Sequence, residues 1–298
     1  MEYRFDRFLS LEENAQFILR EEINACLSSL DEMKVHDAVH EIRKRLKKIR
    51  ALARLFRGEF GEAKFRSINN YFKEIGNDLS EIRDLTAHIE TLELLKRTYG
   101  PTLNLDFFIP LNENIEAHRI AKVKEMMARD FFSKELRFRL NIALDNLNNW
   151  SLSSSDINII LPGIKKVYAR GKKNLKRSYL TPDKTNFHNW RKRTKYLWYQ
   201  TLLLEDIWPG FFKSMESEIH ELADLLGTDH DLMVLHEKIN DQKFYFTYNS
   251  QKALILEMIK RSSSELRQKA KTKGQFIYAE TPGNFIKRIK IYADIGWN

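Results

Sequence analysis

The sequence predicts an all-α protein, built as an internally duplicated pair of helical bundles with pseudo-twofold symmetry. Three observations predict it. Glycine and proline, the main helix breakers, number only 11 and 6 in 298 residues. Apolar residues recur at three- and four-residue spacing along most of the chain, the period of an amphipathic helix. Two short segments of the first half recur, in the same order and at nearly one offset, in the second. The chain is read as a single domain, 1–298, with repeat halves 1–150 and 151–298.

Ser10-Leu11-Glu12-Glu13 has the spacing of a capping box and opens a helix to about Leu30. A second helix covers about Val35 to Arg57 and stops near Gly58 and Gly61. Apolar spacing continues over about Glu62–Lys96, with a break near Asn77–Arg83, and Gly100-Pro101 ends that block. Residues 101–110, with two prolines, read as a loop, and Asn112 to Trp150 as one or two helices. Ser151 to Asp156 is a Ser-rich linker near the midpoint. Pro162 at an acceptable first-turn position opens a helix to Leu180, and Thr181-Pro182-Asp183 starts the next, over about Lys184–Glu205. Trp208-Pro209-Gly210 reads as a turn, and Phe211 to Asn240 as two helices joined near Gly227. Phe244-Tyr245-Phe246 is assigned to a loop, and residues 250–272 to a last long helix.

The repeat rests on two matches. Val39-His40-Glu41-Ile42-Arg43-Lys44-Arg45-Leu46-Lys47 aligns with Phe187-His188-Asn189-Trp190-Arg191-Lys192-Arg193-Thr194-Lys195 at an offset of 148. Leu79-Ser80-Glu81-Ile82-Arg83-Asp84-Leu85 aligns with Leu226-Gly227-Thr228-Asp229-His230-Asp231-Leu232 at 147. The matched Asp84 and Asp231 fit either a helix N-cap or a carboxylate that orients a basic side chain across the bundle. The duplication predicts that the helices bearing His40 and His188 meet.

Charge is segregated. The formal net charge is +9, yet residues 40–57 hold eight Lys/Arg and one acid, and residues 165–195 hold twelve and one. The rest of the chain is therefore acidic. Solubility calls for mixed charge rather than two like-charged stripes, so the pattern points to a polyanionic partner. In the first stripe Val39, Ile42, Leu46, Ile49 and Ala53 form the buried face, and His40, Arg43, Lys47, Arg50 and Arg54 follow one position on, as a ladder at its edge. Lys44 and Lys48 widen it, and Arg45 reads as ordinary surface. Like charges at i,i+4 cost a few tenths of a kcal/mol per pair, which a bound polyanion or acids from another helix would relieve. The second copy keeps His188, Arg191, Lys192 and Lys195 but carries Tyr196 and Trp198 where Lys48 and Arg50 stand in the first. The preceding segment offers Lys165, Lys166, Arg170 and Lys173. The first helix is therefore expected to contribute more to binding than the second. The two histidines are expected to donate to phosphate and to gain charge as pH falls.

These motifs resemble the conserved histidine α-helical domain, CHAD. The stretch from Val39 to Arg50 is similar to its first motif, Phe187–Arg193 to its second, and Leu225-Leu226-Gly227-Thr228-Asp229-His230-Asp231 to its Leu-Gly-x-x-His-Asp element, with Ile82-Arg83-Asp84-Leu85 as first-half partner. The resemblance implies two helical bundles around a basic groove or pore, binding of long-chain inorganic polyphosphate, and association with polyphosphate granules. Carried over by position, it implies contacts from His40, Arg43, Lys44, Lys47, Arg50, His188, Arg191, Lys192 and Lys195. Tyr196 and Trp198 depart from the usual basic residues. The Glu-x-Glu-x-Lys strand motif of the triphosphate-tunnel enzymes fused to some relatives is missing, and no catalysis is expected.

The alternative partner is RNA or DNA, with Trp190, Tyr196, Trp198 and Tyr199 as candidate stacking residues. His36 and His40 at i,i+4 lack a further ligand for a metal site, so no metal and no cofactor are expected. One cysteine, Cys26, excludes an intramolecular disulfide. The first twenty residues are too charged for a signal peptide, and no uncharged apolar run has transmembrane length. A soluble, cytoplasmic protein without a membrane partner is expected.

Overall fold

A computed structural model describes residues 3–128, 131–146, 150–241, 246 and 248–297. Among the described residues there are eleven α-helices and no strand. In order they are α1 (Leu11–Glu32), α2 (Val35–Leu55), α3 (Arg57–Asp78), α4 (Ser80–Tyr99), α5 (Phe108–Ala128), α6 (Leu136–Asp145), α7 (Leu161–Leu180), α8 (Lys184–Leu203), α9 (Pro209–Asn240), α10 (Asn249–Ile277) and α11 (Pro282–Gly296). No described helix is long and apolar enough to cross a membrane.

Local signals set several boundaries. The capping box forms: Glu13 N donates to Ser10 Oγ at 3.2 Å and Ser10 N to Glu13 Oε2 at 2.8 Å. Asp183 caps α8 by accepting from Asn186 N at 2.6 Å. Gly61, with φ of 68°, takes the left-handed conformation that glycine adopts freely, and it kinks α3 near its start. The break expected near Asn77–Arg83 falls at Leu79, between α3 and α4. The Ser-rich linker is irregular; Leu152 N is tied to Glu12 at 2.7 Å and Ser153 N to Glu59 at 3.3 Å.

Four expectations are corrected. α2 stops at Leu55, two residues short of Arg57, and α3 begins at once. Pro110 lies inside the first turn of α5 rather than in a loop, because no carbonyl there needs its missing N–H. Pro209 is not a turn residue but opens α9. α9 itself runs unbroken for 32 residues through Gly227; a helical glycine costs about 1 kcal/mol against alanine, and burial of Leu222, Leu226 and Leu232 outweighs it. The loop assigned to Phe244-Tyr245-Phe246 lies largely outside the described residues.

The helices enclose two apolar cores. The larger draws on α1, α2, α3, α6, α7, α8 and α11, with Trp190, Tyr168 and Phe56 fully buried. The smaller is built from α4, α5, α9 and α10, around Leu92, Phe108, Leu235 and Ile259. α4 and α9 contribute to both, as do α5 through Met126 and α10 through Ala270. On α4, Ile82 belongs to the larger core and Leu92 to the smaller; on α9, Leu226 and Leu232 divide in the same way. Next to these apolar positions lie polar residues, Arg83 and Asp84 on α4 and Asp229, His230 and Asp231 on α9. A polar seam thus separates the cores.

α1 packs on α2 and α6, as α7 packs on α8 and α11; α4 packs on α5, as α9 packs on α10. Between the halves, α2 meets α8 and α4 meets α9. The helices bearing His40 and His188 are therefore in contact. Gln200 Nε2 reaches the Ala51 carbonyl at 3.4 Å, and the Arg54 guanidinium lies 3.9 Å from the centre of the Tyr196 ring.

Candidate anion-binding site

The buried stripe of α2 is as the spacing predicts: Val39, Ile42, Leu46, Ile49 and Ala53 are at most 2% exposed. This fixes the rotation of the helix and turns Arg43 and Lys47 toward α8 and the seam. The corresponding stripe of α8, with Phe187, Trp190, Thr194 and Leu197 buried, turns Arg191 and Lys195 the same way.

The result is a cluster of five cations from three helices: Arg43 and Lys47 of α2, Arg191 and Lys195 of α8, and Arg83 of α4. Lys47 is largely buried. Burial pushes its amine well below the usual lysine range, and the like charges of Arg191, Arg43, Lys195 and Arg83 push it further. Lys195 is lowered to about 8, by burial first and then by Arg191, with partial relief from Asp224 and Asp231. Burial also lowers Arg191, against which Asp231 acts, and Arg43, against which Asp84 acts. Among the described residues Lys47, Arg191 and Lys195 have no hydrogen-bond acceptor and no ion-pair partner. The Arg191 Nε and Arg43 Nε atoms are buried without one. Arg43 donates through Nη1 to the Gly76 carbonyl, and Arg83 pairs with Glu90 at 2.9 Å.

Asp84 and Asp231 lie inside α4 and α9, not at their starts, so neither is an N-cap. Burial raises both carboxyls. Arg43 opposes the shift at Asp84, and Arg191 and then Arg83 oppose it at Asp231. Neither aspartate forms a direct ion pair among the described residues. They lend partial compensation without direct pairing.

The histidines flank this cluster. His40 is exposed at its edge; burial of part of the ring and then the Arg83 charge lower it. His188 lies against His230, ring centres 4.6 Å apart. Burial, then Lys192 and Arg191, lower His188 to about 4, and burial lowers His230 to about 3. A gain of charge as pH falls is thereby displaced at His188 to about pH 4.

A second group adjoins the first through Arg43, on which the Arg50 charge also acts. It differs in being internally satisfied. Arg54 Nη2 and Arg50 Nε both donate to Asn69 Oδ1 of α3, at 2.7 and 3.2 Å, and Arg54 stacks on Tyr196. Burial lowers Arg54 to about 10, still charged at neutral pH. Burial would raise the Tyr196 phenol, but Arg54, Arg50, Arg193 and Lys192 outweigh it and lower the group. Lys192 is unpaired and faces Arg193, Arg50 and Lys73, and Arg193 in turn faces Arg170. The first ladder is thus not uniform: its last two rungs are held by α3 and α8.

The remaining candidates are placed less centrally. Lys44 pairs with Glu41 at 2.7 Å. Lys48 turns the other way, to Glu22 at 3.1 Å, where Arg45 also reaches at 3.3 Å. Glu22 is 5% exposed, so Arg45 is a partner of a buried carboxylate rather than ordinary surface. On α7, the Arg170 charge acts on Arg193 of α8. Lys166 lies 3.6 Å from Glu62, Lys165 is exposed, and Lys173 lines a separate groove against α10. Arg83 is the residue that sequence reasoning missed. Its signal was its position beside Asp84 in the repeated segment, aligned with His230.

The candidate stacking rings are covered. Trp190 is fully buried, and Tyr196 and Tyr199 are 6% and 2% exposed. Trp198 stacks on Tyr199 at 4.7 Å and on His220 at 4.0 Å, and its indole N–H donates to Glu216.

Fold and site together define an all-α protein with incompletely compensated cations where two central helices meet a polar seam. The CHAD domain family model matches residues 18–240. The chain belongs to the CHAD domain family. It is also similar to the crystal structure of the CHAD domain from the plant Ricinus communis, with a TM-score of 0.54 at 17% identity, over 88% of this chain and 87% of that one. A comparison with curated proteins finds no match.

Proposed function

We propose that the chain binds inorganic polyphosphate along the basic band of α2 and α8. The observation that carries this reading is the group of Lys47, Arg191 and Lys195: three cations, largely buried and mutually repelling, with no acceptor among the described residues. Keeping unpaired charge away from water is costly, and a multivalent anion removes that cost. Polyphosphate carries about one charge per phosphate and no base, so it needs cations in register and no stacking platform. The site residues are Arg43, Lys47, Arg83, Arg191 and Lys195, continued by His40, His188, Arg50 and Lys192, with Arg170 at the far end. CHAD domains are associated with polyphosphate binding, which supports the same reading.

The matched helix pairings support the two halves as copies of one bundle. Binding rather than catalysis, and recruitment to polyphosphate granules, go with the proposal.

The test is a competition in which labelled polyphosphate is displaced either by unlabelled polyphosphate or by single-stranded RNA of equal charge. Displacement by polyphosphate at far lower concentration is expected, because Trp190, Tyr196, Trp198 and Tyr199 offer no free face to a base. RNA competing equally, with binding lost in Trp198→Ala, would replace this reading with nucleic-acid binding.

A further inference from the structure

Lys173 was expected in the basic band and lies instead in a groove with different chemistry. α7 and α10 run antiparallel here: Tyr179 Oη donates to the Arg267 carbonyl at 2.6 Å near one end, and Lys172 Nζ to the Ala279 carbonyl at 3.0 Å near the other. Between them lies an open groove of about 690 Å3. Its floor is apolar and aromatic, with Leu175, Tyr179 and Tyr278, and Leu180 stands 70% exposed at one end. Its rims are lysines, Lys172, Lys173 and Lys176 on α7 and Lys271 on α10, and no acidic side chain lines it. Lys173 and Lys176 have no partner among the described residues.

An inorganic polyanion would gain nothing from the Leu and Tyr floor, and an apolar ligand would leave the lysines unanswered. The complement to both is an amphipathic element with an apolar stripe flanked by carboxylates. From Lys172 to Leu180 the groove follows α7 for about 12 Å, or two helical turns. That length suits apolar anchors at i, i+3, i+4 and i+7. We infer that this groove docks a short acidic amphipathic helix of a partner protein, separately from the basic band. The lysine rims steer the acidic helix and fix its register, and the apolar floor supplies the contact that discriminates it from other anions. This goes beyond polyphosphate binding and assigns the chain a second, protein-directed surface.

The probe is a fluorescein-labelled sixteen-residue peptide of leucine at i, i+3, i+4 and i+7 with glutamate between, measured by anisotropy against the full chain. A peptide of the same composition with scrambled leucine spacing is the control. The amphipathic peptide is expected to bind at least tenfold more tightly than the scrambled one. The exposed Leu180→Asp change, and Lys176→Glu with Lys271→Glu, should each weaken it at least tenfold, with polyphosphate affinity and melting temperature unchanged. Polyphosphate should not displace it. Equal binding of the scrambled peptide, indifference to these substitutions, or displacement by polyphosphate would show attraction to the basic band and overturn the proposal. Attachment to phosphatidylglycerol vesicles through Lys176 and Lys271, without peptide binding, would also overturn it, in favour of a lipid surface. None of these outcomes bears on polyphosphate binding, which is assayed separately.

Discussion

The strongest charge acting on the Lys47 amine is that of Arg191, on another helix, and it is a like charge. Helices α2 and α8 are packed so that their cations converge instead of interleaving with acids. Asp84 and Asp231, which could have neutralised them, stay short of direct pairing.

Replacing Lys47 with methionine keeps the length of the side chain and removes the unpaired charge. Polyphosphate affinity should fall at least tenfold, since a hydrogen bond to a charged group contributes about 1.5–3 kcal/mol. Stability of the free protein should rise by about 1 kcal/mol, or roughly 2–4 °C in melting temperature. A destabilised Lys47→Met would mean that the amine has a partner in the free chain.

Lys195 gives the pH dependence. Its amine is lowered to about 8, so between pH 7 and 9 it loses the proton that an anion requires, and polyphosphate affinity should decline over that interval. The stability of the free protein moves oppositely. The unfolded lysine holds its proton up to its ordinary value near 10.5, so from pH 8 upward the unfolded state binds more protons and this group's contribution to stability rises with pH. Lys195→Arg should keep affinity flat to pH 9. A decline unchanged in that variant would assign the titration elsewhere.

The sequence pointed to a dominant first helix; the structure predicts parity. Arg50 and Arg54 are held by Asn69, so each helix sends two cations to the seam, Arg43 and Lys47 from one and Arg191 and Lys195 from the other. Arg43→Ala with Lys47→Ala, and Arg191→Ala with Lys195→Ala, should weaken polyphosphate binding to similar extents. Each should also lower the log–log salt slope by about 1.4, from roughly 0.7 per phosphate contact on a single strand. A tenfold disparity between the pairs would restore the asymmetric site.

On the far side of α2, Glu22 accepts from both Arg45 and Lys48 and is almost wholly buried. Glu22→Gln leaves two cations without their counter-charge and should cost about 2–4 kcal/mol in chemical denaturation. Polyphosphate affinity at low temperature should be unchanged, because neither cation faces the band. Loss of binding without loss of stability would put Glu22 in the site.

Much of this architecture is legible in the chain. The α2 stripe, the Ser10 capping box and the meeting of the His40 and His188 helices all follow from period and repeat, which depend on local geometry. What stayed hidden was the direction taken by long side chains. Lys48 and Lys47 are neighbours in sequence, yet one answers Glu22 and the other faces Arg191, because 100° of helix rotation puts them on different neighbours. Arg83 carries no basic stripe around it, so its only signal in the chain is its place beside Asp84 in the repeated segment. Lys173 sits in a run that reads as one ladder, while the α7–α10 pairing gives that run two sides.

The polar seam has a mechanical consequence. Two apolar cores joined along a polar line need not come apart together, and the smaller one, carried by α4, α5, α9 and α10, is the natural unit of partial opening in the free molecule. A chain of phosphates lying across Arg83, Lys47 and Arg191 would tie α4 to α2 and α8. The ligand then acts as a cross-brace, and slow amide exchange in α5 and α10, far from any phosphate, becomes the signature of an occupied seam.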